Sequence, residues 1–174
     1  MSRIIYVVGD ATEPQGNDGG MNIIVHCCND KGGWGAGFVM AISKKWPEPE
    51  ERYRRWFTTG YKADSIIKPL ELGDIQNVMV DDTTGFLYVC NLIGQHDTRP
   101  DSEGISPIRY DAIFRGLTRL QRQIERSNGS RPIAVHMPRM GAGLAGGDWN
   151  IIEAIVKSTL TDKGIPVIVY DFVP

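Results

Sequence analysis

The chain has 174 residues, enough for one domain with one sizeable core, and its 41 % hydrophobic and 23 % charged residues are an ordinary globular balance. A formal net charge of −2 gives no general electrostatic pull toward nucleic acid or an acidic membrane. No apolar run approaches the roughly 20 residues that span a bilayer, and residues 1–10 read as strand rather than as a signal peptide.

In chain order, Ile4–Val8 is a short β-branched run closed by Gly9-Asp10, which predicts a strand. Asn17-Asp18-Gly19-Gly20 is a turn cluster, and Ile23–Cys27 is a continuous apolar run of the kind found in strands buried on both faces. A glycine-rich stretch leads into a helix near Phe38–Lys45. After Pro47 and Pro49, Glu50–Phe57 reads as helical, with Tyr53, Trp56 and Phe57 on one side and Gly60 as its stop. Gly73–Asp81 and Phe86–Ile93 flank Asp82-Thr83-Thr84-Gly85, which predicts an antiparallel hairpin. Residues 94–105 contain no clear element, and a loop of that length in a small domain is often functional. Ser106-Pro107 has the pattern of an N-cap followed by a first-turn proline, before Ile113, Leu117, Leu120 and Ile124 at helical spacing. Asn128-Gly129 stops that helix. Pro132–Met137 is a further apolar strand, Trp149–Leu160 a helix that Asp148 is placed to cap, and Ile165–Phe172 a last strand. Strands alternating with helices around one inserted hairpin predict an α/β fold, a mixed sheet with helices on both faces, in a single domain over residues 1–174.

Of three cysteines, Cys27 and Cys28 are adjacent and Cys90 stands alone, which supplies neither a disulfide framework nor metal-ligand spacing; a reduced, cytoplasmic protein without a metal is expected. The 20 glycines exceed the roughly 7 % average and cluster. Gly32–Phe38 and Met140–Gly146 share one order: apolar strand, glycine-rich loop, helix. Glycine lets a backbone approach a ligand closely, and a helix start adds unpaired N–H groups and a positive dipole end, which together make an anion site. Two such loops can hold one diphosphate from both sides; the alternative is that the glycines only make tight turns. Gly141-x-Gly143-x-x-Gly146 also matches the dinucleotide fingerprint, yet only one helix and one strand follow it, and Asp171 is a poor ribose ligand at the end of the last strand. A Walker loop is excluded, because neither stretch contains Gly-Lys-Ser/Thr.

Taken together and in order, these strings resemble the macro domain, an ADP-ribose-binding family. Val8-Gly9-Asp10-Ala11-Thr12 is similar to its opening motif, Ile24-Val25-His26-Cys27-Cys28-Asn29 to the strand and asparagine that hold the distal ribose, Gly33–Phe38 and Met137–Trp149 to its two diphosphate loops, and Tyr170-Asp171-Phe172 to the place where an aromatic lies on adenine. The subgroup that fits is the one containing ADP-ribose 1''-phosphate phosphatases and ADP-ribosyl-glutamate hydrolases. The resemblance implies a three-layer α/β/α sandwich with a mixed sheet of about six strands, a monomer, and no cofactor. It implies ligand contacts at Asp10, Ala11, Asn29, Trp34, Gly35, Ala36, Gly37, Phe38, Met140, Gly141, Ala142, Gly143, Leu144, Ala145, Gly146 and Phe172.

For several of these residues two roles stay open. Asp10 either reads adenine or forms a turn; Phe172 either stacks on adenine or packs in the core; Trp34 is either a lid over the ribose or an exposed loop aromatic. Hydrolysis at the distal ribose needs a base or a positioned water. His26 and Asp148 are the catalytic candidates, against a buried, hydrogen-bonded histidine and a helix cap. The glutamate-specific hydrolases of the subgroup use a lysine after the strand matching Tyr88–Ile93 and an aspartate directly after Gly-x-Gly-Leu. Gly94-Gln95-His96 and Ala145 stand at those places, which counts against a lysine adduct. His96 is expected in a solvated loop and His136 in the core. The expected partners are ADP-ribose or a derivative, with ADP-ribosylated macromolecules as a further possibility, and no membrane. Three functions remain: a 1''-phosphate phosphatase, a reader without turnover, and a hydrolase that removes ADP-ribose from protein or nucleic acid.

Overall fold

The computed structural model describes residues 2–63, 66–83, 86–127, 129 and 131–174. Its strands are β1 (Ile4–Val8), β2 (Met21–Asn29), β3 (Tyr61–Ala63), β4 (Ile66–Lys68), β5 (Ile75–Asp81), β6 (Phe86–Gln95), β7 (Ile133–Pro138) and β8 (Val167–Asp171). Its helices are α1 (Phe38–Lys45), α2 (Glu48–Thr59), α3 (Tyr110–Arg126) and α4 (Trp149–Thr159), with a 3₁₀ turn at Thr161–Lys163. Six strands form one sheet in the order β1-β8-β7-β2-β6-β5, parallel throughout except for β5, which runs antiparallel to β6. β3 and β4 make a separate two-stranded ribbon where the sequence predicts no element.

The apolar run of β2 is explained by its place near the middle of the sheet, where alternate residues serve opposite faces. Ile23 and Val25 join Leu92, Val135, Met137 and Val169 under Ile113, Leu117 and Leu120 of α3 and Ile152 and Val156 of α4. Ile24 and Cys28 join Val89 and Ile93 under Ile42 of α1 and Tyr53 and Trp56 of α2. The result is a three-layer α/β/α sandwich with a six-stranded mixed sheet. Gly60 ends α2 with a φ of 71°, a conformation that a glycine adopts freely.

Two expectations need correction, and two fall in part outside the described residues. Phe57 is exposed, unlike Tyr53 and Trp56, which are buried. Ser106-Pro107 does not start α3; the helix begins at Tyr110, with Arg109 extended at the cap position. The backbone of 107–109 is drawn into tertiary hydrogen bonds instead. His96 donates its N–H to the Pro107 carbonyl (2.8 Å), Arg109 to Gly94 (2.9 Å) and Ile108 to Ala145 (3.2 Å). Those bonds outweigh the local capping preference and brace the second glycine loop against the end of β6. β5 and β6 pair as the predicted antiparallel hairpin. Thr84 and Gly85 of its turn, and Asn128 of the α3 stop, lie outside the described residues.

Candidate functional site

β2 and β7 are adjacent and parallel, so the loops that follow them leave the same edge of the sheet. There they meet: a Cβ on Gly37 would lie 3.4 Å from Leu144 Cδ1. The first loop opens α1, whose N-cap is Gly37 at φ 81° with no side chain capping the first turn. Among the described residues, no protein acceptor takes the N–H of Gly35, Ala36, Gly37 or Phe38. An uncapped helix start of this kind is an anion site. In the second loop the amides divide. Ala142 and Gly146 donate to Arg139 (3.2 Å) and Gly143 (3.0 Å), whereas those of Gly143, Leu144 and Ala145 have no protein acceptor among the described residues. A Cβ on Gly35 or on Gly143 would meet nothing within 4 Å, so both positions face open space. Gly141 and Gly146 differ: each has a positive φ, and added Cβ atoms would press on Ile108 Cδ1 (2.6 Å) and Ser106 Oγ (2.7 Å). Met140 and Ala145 are buried, so their side chains serve the core and only their backbones remain for a ligand. Leu144 is exposed.

The first loop is shaped from beneath by Asn29. Its Oδ1 accepts the N–H groups of Lys31 (2.9 Å) and Gly33 (3.0 Å), and its Nδ2 donates to the Gly33 carbonyl (2.7 Å). Tyr53 donates its hydroxyl to the Asn29 carbonyl at 2.5 Å. One Nδ2 hydrogen is what Asn29 keeps for a ligand. Trp34, expected as a lid or as an exposed aromatic, is neither. Its indole is 4 % exposed, donates Nε1 to Ser43 Oγ (2.7 Å) and packs on the rings of His26 and Tyr53.

His26 points to the α1/α2 face and is 1 % exposed, with Nε2 2.5 Å from Asn91 Oδ1. Burial lowers its pKa to about 4 despite the Asn91 bond, so the ring is neutral at pH 7. Trp34 and Phe38 cover it, with ring centroids at 5.3 and 5.9 Å. Asp148 is exposed and caps α4, accepting the Asn150 N–H on Oδ1 (2.9 Å); Oδ2 has no protein donor among the described residues. At the far end of the site, Asp10 Oδ1 accepts from the Thr12 N–H (2.8 Å) and hydroxyl (2.7 Å), and Oδ2 is left over. The turn role and a ligand role therefore use different oxygens. Ala11 is buried beside Tyr170. Phe172, just after the end of β8, is 68 % exposed, which removes core packing as its role. His136 is a core residue, bonded to the Tyr170 hydroxyl (2.8 Å) and Asn22 Oδ1 (2.7 Å), with a pKa lowered to about 4 by burial.

Sequence reasoning missed Asp30. Its carboxylate holds His96 Nδ1 (2.7 Å) and the Asp97 N–H (2.9 Å) at the rim of the first loop. Burial alone would raise its pKa, but the Asp97 amide and His96 outweigh that and lower it. Nothing in the local sequence marks this pair, because 66 residues separate its members. Asp97 itself takes a φ of 63°, a conformation uncommon outside glycine. The dinucleotide reading is not supported: Asp171, the acid it would need, forms an ion pair with Arg139 through Oδ1 (2.6 Å) and Oδ2 (3.1 Å).

The fold and site together define an α/β/α protein whose two amide-rich loops converge at one sheet edge. No protein-family model matches the sequence. A solved protein of unknown function from Bacteroides thetaiotaomicron is 45 % identical with a TM-score of 0.83, covering 99 % of each chain. A macrodomain protein from Streptomyces coelicolor is 41 % identical with a TM-score of 0.76, covering 97 % of this chain and 99 % of that one. The chain belongs to the macrodomain family. Among curated proteins, the chromodomain-helicase-DNA-binding protein 1-like of Danio rerio is 31 % identical over 97 % of this chain, which spans 16 % of that protein's length. An ADP-ribose 1''-phosphate phosphatase of Candida albicans is 21 % identical, covering 88 % of this chain and 92 % of that protein. No helix among the described residues is long and apolar enough to cross a membrane.

Proposed function

We propose that the chain binds ADP-ribose, as a single macrodomain, with the diphosphate held between the unpaired amides of Gly35–Phe38 and those of Gly143–Ala145. The carrying observation is the close approach of Leu144 to Gly37, with the amides of Gly35–Phe38 and Gly143–Ala145 unspent among the described residues. Phe172 stacks on adenine and Asp10 Oδ2 accepts from its amino group, while Asn29 offers its remaining Nδ2 hydrogen to the distal ribose. Met140, Gly141, Ala142 and Gly146 shape the second loop, and Trp34 and Ala11 support the site from below.

The reaction proposed is hydrolysis at the distal ribose, with the 1''-phosphate monoester as first substrate; the Candida albicans phosphatase supports this choice. Asp148 Oδ2 positions the attacking water, and the loop amides stabilise charge developing on the phosphoryl oxygens. Neutral, covered His26 holds Asn91 and the floor beneath Phe38, and its catalytic part is positional. A reader without turnover is the second reading. The observation that favours it is that His26 is enclosed and Asp148 is engaged as a cap.

Calorimetric titration with ADP-ribose, ADP and NAD tests the binding. ADP-ribose is expected to bind more tightly than the other two; equal affinity for NAD overturns the assignment of the site. Phosphate release from ADP-ribose 1''-phosphate then tests the phosphatase, and release of ADP-ribose from a modified acidic side chain or base tests the hydrolase of macromolecules; tight binding with neither turnover leaves the reader.

A further inference from the structure

A second concave site lies on the other side of α2. One side of this helix serves the first glycine loop: Tyr53 holds Asn29, and Arg54 Nη1 donates to the Gly32 carbonyl (3.1 Å). Arg52, Arg55 and Trp56 line an open cleft of about 750 Å³ that is bounded by the β3–β4 ribbon, edge strand β5 and α3. Its cations come from three elements: Arg52 and Arg55 from α2, Lys62 and Lys68 from the ribbon, Arg122 and Arg126 from α3. These six are exposed and have no carboxylate partner among the described residues. A seventh, Arg119, pairs with Asp74, which is the single carboxylate in the lining among the described residues. Seven of the chain's 19 lysines and arginines thus face one cleft, in a protein whose net charge is −2. Such local focusing of one sign attracts a polyanion.

Two further observations narrow the ligand. Among the described residues, two buried side-chain atoms lack a hydrogen-bond partner: Trp56 Nε1, a donor, and Asn77 Oδ1, an acceptor. Both residues line this cleft. Buried polar groups are nearly always paired, and a cleft ligand with both donors and acceptors is the kind that matches an unmet donor and an unmet acceptor in one lining. Phosphate oxygens only accept, whereas nucleobases donate and accept. Tyr61, also in the lining, is 60 % exposed and offers a ring for a base to stack on. A duplex keeps its bases stacked inside and has no face for that ring.

We infer that this cleft binds a single strand of nucleic acid, with phosphates on the arginines and lysines and a base against Tyr61. This goes beyond the ADP-ribose site and does not depend on it.

The test is fluorescence anisotropy with a labelled single-stranded 12-mer, as DNA and as RNA, from 25 to 200 mM salt. Four or more phosphate contacts predict a slope of log affinity against log salt of about −3 or steeper. Arg55→Glu with Arg122→Glu should weaken binding at least about ten-fold and flatten the slope by about 1.4, two contacts' worth. Lys163→Glu, on the 3₁₀ turn outside the cleft, should leave it unchanged. ADP-ribose titration of the double variant should match the parent, so failure of the ADP-ribose assignment is read separately. If the double variant does not melt cooperatively, Arg55→Gln with Arg122→Gln replaces it. Binding of either nucleic acid with these responses supports the inference, and the ratio names the source. Absence of binding at 25 mM salt overturns it. So does equal weakening by Lys163→Glu, or equal binding of a duplex or an acidic peptide.

Discussion

Gly143→Val is the most direct probe of the diphosphate site. A Cβ at Gly143 meets nothing within 4 Å, and its φ is not positive, so the variant should fold as the parent does. The added branch occupies the open space beside the unpaired amides of Gly143 and Leu144. A hydrogen bond from such an amide to a charged oxygen contributes about 1.5–3 kcal/mol, so losing one weakens ADP-ribose binding about 10- to 150-fold. Gly141→Val is the companion. At φ 76° and with Ile108 Cδ1 2.6 Å from the new Cβ, it strains the backbone by about 1–3 kcal/mol and lowers the melting temperature. Calorimetry gives the affinities and thermal denaturation the stabilities. Parent-like ADP-ribose affinity in a normally melting Gly143→Val protein would refute the placement of the diphosphate.

Asp148→Ala should lose the α4 cap and about 0.5–2 kcal/mol of stability, whereas Asp148→Ser keeps a capping oxygen. If Oδ2 positions water, both variants lose phosphatase turnover although only the alanine melts early; parent turnover in the serine variant removes Asp148 from the chemistry. Phe172→Ala, at an exposed position, should leave the melting temperature alone and weaken ADP-ribose by about 1–3 kcal/mol; unchanged affinity shows that adenine lies elsewhere. His26 and His136, both held neutral with pKa values of about 4 against 6.5 unfolded, make stability pH-dependent. The unfolded chain binds these protons first, so the stabilisation is complete above pH 6.5 and is lost as pH falls toward 4. Between pH 7 and 5.5 each histidine costs about 1 kcal/mol, readable by denaturant titration; a flat profile over that window contradicts their burial.

Much of the fold was legible because its signals are local. The unbroken apolar run at β2 announced a strand covered on both sides, and α1 begins and ends where the Phe38–Lys45 pattern placed it. Asp148 was legible as a cap from its position before α4. The start of α3 was misread because the Ser106-Pro107 signal is overridden by bonds to Gly94, His96 and Ala145, which are distant or unmarked in sequence. Trp34 was misplaced for a related reason. A tryptophan between glycines looks exposed, and only the packing of Ser43, His26 and Tyr53 around it encloses the ring.

The order of apolar runs and glycine clusters was enough to determine the α/β class and the two amide-rich loops, since backbone preference and hydrophobic period act over a few residues. Tertiary structure alone decided which amides stay unpaired, that Asp30 meets His96, and that cations far apart in the chain face one cleft. Partnership of that kind depends on distances in space, which the pairing of β2 with β7 and the packing of α2 and α3 on opposite sides of edge strand β5 create and which no neighbouring residue encodes.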